Sequence, residues 1–190
     1  MGELKSAWEI AAERAKRLGR LSEEEKEQQE RERCVELGRG LAQKWLDSPE
    51  AVDLASELEK YSGKEGAMIK EAVLQRLASE IELSSAVALS RSERIATTLG
   101  QLEPRLRSKL EEIAALFQEY RRAEEKMSGE IEEKRWQVLH QLRISGTAVA
   151  GVNVAADPQW RQGREKLEEE FQPQLHRLKQ ELLAILSGER

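Results

Sequence analysis

The sequence predicts an all-α protein: an N-terminal helical region packed on a long, coiled-coil-like antiparallel helical hairpin. Three observations carry this. The 190 residues are 35% charged and only 4% aromatic, with four Pro and 12 Gly, the composition of long helices rather than of a many-stranded β protein. Apolar residues recur at spacings of three and four along most of the chain. The last ninety residues carry two long apolar seams that can be laid against each other.

Taken in order, the first helix is expected over about 3–18. Leu4, Trp8, Ala11, Ala15 and Leu18 form its stripe, and Gly19 ends it. Ser22 followed by Glu25 reads as a capping box for a second helix. That helix opens with a charged stretch to Arg33 and then carries Cys34, Leu37, Leu41 and Trp45, with Gly38 and Ala42 four apart and able to admit a close neighbour. Ser48-Pro49 reads as a cap and first helical residue, starting a short helix over about 49–61. Residues 62–66 read as a turn or joint. A helical pattern then runs from Ala67 to about Leu99, with a break or kink where four serines interrupt 83–92, and Gly100 closes the region.

Pro104 starts a helix expected to run to about Ile144, roughly 60 Å at 1.5 Å per residue. Its seam is Ile113, Phe117, Tyr120, Glu124, Met127, Ile131, Lys134 and Val138. Asp157-Pro158 opens the last helix, with Trp160, Leu167, Phe171, Leu175, Leu178, Leu182 and Ile185 at threes and fours. Folded back antiparallel, the seams match when paired residue numbers add to 302: Leu142 with Trp160, Ile131 with Phe171, Met127 with Leu175, Tyr120 with Leu182 and Phe117 with Ile185. This register leaves Glu124 opposite Leu178, and Lys134 or Arg135 near Leu167. Pro173 should kink the second arm. The domain organisation is therefore 1–100, an N-terminal helical region, and 101–190, the hairpin.

The hairpin's tip loop, 144–156 (ISGTAVAGVNVAA), contains no charged residue. Helix connections of that length are uncommon and often functional. Three readings stay open: closure over its own helices, contact with a protein partner, or insertion into a membrane surface or unfolded client. Val149, Val152 and Val154 in the loop, with Trp136 and Trp160 beside it, are the candidate protein-interaction residues. A phosphate-binding loop is excluded, because Val152-Asn153 stands where Lys-Ser/Thr must grip phosphate and magnesium.

No catalytic, cofactor or metal site is expected. His140 and His176 lie too far apart on the hairpin to act together, and neither has the Glu three residues earlier that di-iron bundles use. Cys34 falls on an apolar stripe and reads as a buried structural thiol. The aspartates Asp47, Asp53 and Asp157 all read as lying in or near helix starts, where a carboxylate complements the helix dipole. The net charge of −5 argues against a nucleic-acid binder, despite a modest basic patch in 91–109 and at Arg121-Arg122. No uncharged run approaches the roughly 20 residues that span a bilayer. A single cysteine implies no disulfide, and the charged N-terminus has no signal-peptide core, so the expected location is cytoplasmic.

The segments GELKSAWEIAAERAKRLGRLS and LRISGTAVAGVN resemble an uncharacterised group of small all-helical bacterial proteins. That resemblance implies a helical fold and no assigned activity. The residues themselves favour a non-enzymatic structural or protein-interaction module, a homo-oligomer or the partner of another protein. The alternatives are a helical ligand-binding protein or enzyme without a linear motif, and a chaperone-like, client-binding hairpin.

Overall fold

The structure, a computed structural model, describes residues 22–143 and 153–188. These form α1 (Glu23–Asp47), α2 (Leu54–Glu59), α3 (Gly63–Ser79), α4 (Ala86–Leu102), α5 (Arg107–Gln141) and α6 (Pro158–Ser187), with 3-10 turns at Pro104–Leu106 and Val154–Ala156. No strand is present among the described residues. The expected first helix over 3–18, and the loop residues 144–152, lie outside the described residues. The chain forms two compact units, Met1–Val73 and Leu74–Arg190.

In the first unit, α1 begins at the expected capping box. The Ser22 hydroxyl accepts from the Glu25 N–H at 3.1 Å, and the Glu25 carboxylate accepts from the Ser22 N–H at 2.7 Å. The buried face of α1 is Cys34, Gly38, Leu41, Ala42 and Trp45. Leu37, expected on that face, is 39% exposed. The reason is Gly38, which takes the contact itself: a Cβ there would meet Ala72 Cβ and the Ile69 carbonyl oxygen at 2.6 Å.

The expected restart at Ser48-Pro49 is corrected. Ser48 ends α1, its N–H donating to the Lys44 carbonyl at 3.1 Å, and a turn follows. Asp53 is the actual cap of α2, accepting from the Ala55 N–H at 3.1 Å and the Ser56 hydroxyl at 2.5 Å. A carboxylate that satisfies two donors makes a stronger start than a serine before proline, so the helix shrinks to Leu54–Glu59. Gly63, with φ +65°, turns the chain straight into α3. The left-handed conformation there suits glycine.

In the second unit the expected break falls at 80–85. Ser85 caps α4, accepting from the Ala88 N–H at 3.1 Å. Buried Ser92 brackets the linker, accepting from the Glu82 N–H at 2.9 Å and donating to the Glu82 carbonyl at 3.0 Å. Gly100 does not close the region: α4 continues to Leu102. The stop comes from Pro104, which disfavours helical backbone at Glu103 before it. Residues 79–84 are held by the last helix. Lys179 Nζ donates to the Ser79 and Ile81 carbonyls at 2.9 and 2.7 Å, Gln172 to the Leu83 carbonyl at 3.1 Å, and Arg164 to the Ser84 carbonyl.

Helices α5 and α6 form the predicted antiparallel hairpin, and Pro173 sits inside α6 without ending it. The predicted register is wrong. Tyr120 packs edge-on against Phe171 with ring centroids 5.5 Å apart. Gly163 lies so close to the Met127 thioether that a Cβ there would collide with it. Lys109 pairs with Glu181 at 2.7 Å, Arg164 approaches Glu124 at 3.9 Å, and Arg135 pairs with Asp157 at 2.5 Å. These partners' residue numbers add to 288–292, so Phe171 faces Tyr120 rather than Ile131, and Leu182 does not face Tyr120. The slip is about three helical turns. Three turns of 3.6 residues return each side chain to nearly the same azimuth, so both registers present the same apolar faces. The charges distinguish them, because Glu124 and Arg135 meet opposite charges in one register and leucines in the other.

Three outcomes are expected. A double-mutant cycle between Tyr120→Leu and Phe171→Leu, read by chemical denaturation, gives a coupling of about 0.5–1.5 kcal/mol; the cycle between Ile131 and Phe171 gives none. Gly38→Val destabilises the chain by about 1–3 kcal/mol through overpacking, partly relieved by Ala72→Gly. The Gln159 N–H and the Arg135 guanidinium hold the Asp157 carboxyl below the usual carboxylate range. A depressed folded-state value means stability present above the unfolded-state value, about 4, and lost as the pH falls below it. Thermal midpoints of Asp157→Ala and the parent chain should therefore differ at neutral pH and converge below about pH 4.

Candidate functional site

The register leaves α5 longer than its partner. Arg135 faces Asp157, the residue that caps α6 by accepting from the Gln159 N–H at 2.8 Å. Asp157 is 6% exposed, so this pair marks a firm junction between the arms. Beyond it α5 continues to Gln141, and the chain leaves the helix at Arg143 with φ +54°. These last turns carry the largest exposed apolar side chains of the hairpin, Val138 at 45% and Leu142 at 64%. They continue the seam that buries Ile131 farther down.

Of the residues singled out in the sequence, Trp136 is half-buried on this projecting end. Its indole Nε1 donates to Glu132 at 3.4 Å, and its ring lies 6.4 Å from that of His140. Trp160 is half-buried in the first turn of α6, and Val154 is half-buried in the 3-10 turn just before Asp157. Val149 and Val152 lie outside the described residues. The sequence missed Val138 and Leu142 as surface groups because the predicted register gave Leu142 a partner in Trp160.

Chemistry is sparse elsewhere. Among the described residues no three His, Cys, Asp or Glu side chains converge as a metal site. The corrected register puts the two histidines roughly 40 Å apart along the hairpin. Cys34 is 3% exposed; burial first, then the Glu65 and Glu30 carboxylates, push its thiol up, which keeps it protonated and poorly nucleophilic at neutral pH. Much of the basic patch is neutralised: Arg91 pairs with Glu80, Arg105 with Glu103, and Arg121 with Glu93.

One polar cluster inside the hairpin has no counterpart in the sequence reading. Arg164 joins Glu168 at 2.8 Å and the Ser84 carbonyl, beside the fully buried Tyr120. The Tyr120 hydroxyl has no hydrogen-bond partner. Burial first, then Glu124 and Glu168, raise its pKa; the Arg164 guanidinium beside it opposes that rise. A neutral, enclosed phenol held this way is a packing group rather than an acid or base.

No helix among the described residues is long and apolar enough to cross a membrane. No curated protein and no solved structure matches the chain. A family of unknown function (DUF6657) matches residues 55–184, which include α3 to α5 and nearly all of α6. The chain belongs to that family.

Proposed function

We propose that the protein is a non-enzymatic, cytoplasmic interaction module that self-associates through the projecting end of α5. The observation that carries this is the exposure of Val138, in the last turns of α5, and of Leu142, just past its end, beyond the Arg135–Asp157 junction. Two copies of this segment laid antiparallel about Val138 place Glu133 of each near Arg143 of the other. The arrangement is isologous, each contact occurring twice, and complementary in charge. Trp136 and His140 fall on the same short stretch and extend the contact.

The overlap covers about three helical turns, well under the roughly 800 Å² per partner of a standard interface. The expected association is therefore weak, roughly micromolar to millimolar. Sedimentation equilibrium of the full chain should show a mass rising with concentration. Val138→Glu with Leu142→Glu should hold it at the monomer while leaving helix content unchanged by circular dichroism. A parent chain that remains monomeric up to about 1 mM, or a double variant that associates as well as the parent, overturns the reading.

A further inference from the structure

Between α4 and α5 lies a groove of about 380 Å³, within the range of small-molecule sites. Its floor is apolar: Ala96, Leu110 and Phe117, all buried. Gly100 and Ala114 keep its walls low. Its charges are arranged along its length. Arg107 stands at one end and makes no ion pair among the described residues, only a 3.5 Å hydrogen bond from Nε to the Gly100 carbonyl. Glu93 stands towards the other end, its carboxylate already taken by Arg121 at 2.9 Å. Glu111 sits on the lip one turn beyond Arg107 and does not pair with it. The groove thus carries an unpaired guanidinium at one end, an apolar middle and the Glu93–Arg121 ion pair towards the far end.

From this arrangement we infer that the groove binds a single-chain aliphatic carboxylate of medium length, its headgroup on Arg107 and its tail running towards Phe117. Arg107 and Phe117 lie ten residues apart on one helix, about 15 Å, the extended length of roughly a dozen carbons. The near-complete burial of Leu110 and Phe117 leaves a slot for a slender chain rather than for a helix about 10 Å across. A guanidinium takes a carboxylate in a bidentate fork, whereas the cation at the other end, Arg121, is already paired with Glu93, and this sets the orientation. Each methylene laid on the floor adds up to about fourfold in affinity, less where the chain remains half open to water.

The test is calorimetric titration of the full chain with dodecanoate, dodecylamine and dodecanol, each below its micellar concentration. Dodecanoate should bind at least tenfold more tightly than the amine or the alcohol. Arg107→Gln should weaken dodecanoate about tenfold and leave the alcohol unchanged. Ala114→Trp, at an exposed position on the wall, should abolish binding of all three without shifting the thermal midpoint. No heat with dodecanoate at about 1 mM overturns the inference. So does equal affinity for the amine, or binding undiminished by Ala114→Trp.

Discussion

The architecture depends on how α5 and α6 are set along one another, and charges rather than oily side chains decide that setting. The seams of both arms repeat at threes and fours, so sliding one arm by three turns restores leucine opposite aromatic or aliphatic groups at nearly the same orientation. Burial alone separates such registers poorly. Lys109 with Glu181, Arg164 with Glu124 and Arg135 with Asp157 separate them well. Individually, exposed pairs contribute only about 0–1 kcal/mol. Together they act against a competitor that drives Glu124 and Arg135 onto leucines, and a difference of about 3 kcal/mol is already more than a hundredfold in population. Tyr120 against Phe171 and the missing side chain at Gly163 add steric detail that only this register accommodates.

The same setting creates the projecting end. If the arms matched over their full length, Val138 and Leu142 would be interior positions of an ordinary hairpin. Because α6 begins opposite Arg135, those positions lie past its cap, Val138 in the last turns of α5 and Leu142 just after its end. The exposed apolar end is thus a consequence of ion pairs farther down the hairpin.

How much of this was legible in the sequence follows from the range of each signal. Caps are local, and Ser22 with Glu25 and Asp157 before Pro158 identified their helix starts. The break in the serine-rich 83–92 stretch was legible for the same reason. Ser48-Pro49 misled because a better cap, Asp53, stood five residues later, and nothing in a local rule ranks the two. The clasp on residues 79–84 was invisible: Lys179, Gln172 and Arg164 donate to backbone carbonyls 80–100 positions away. Carbonyls have no sequence identity, so no spacing rule can announce such a contact. The hairpin itself was legible because periodicity survives any register. Its alignment was not, because periodicity is the property the two registers share.

Those clasps also bear on what the charged residues are for. In a chain that is 35% charged, the groups drawn into the second unit's interior serve geometry. Lys179, half-buried, has its amine pKa lowered chiefly by burial, yet donates to two carbonyls at the end of α3, where a cation complements the helix dipole. Arg164 and Ser92 fasten the adjoining linker. Removing such a donor strands the carbonyls it served. Against that background Arg107 is different in kind: a guanidinium at the mouth of an apolar slot, within one turn of a carboxylate it does not pair with. Where the surrounding charges are consumed in holding helices together, a cation left beside a hollow is the place where the fold has charge to offer something else.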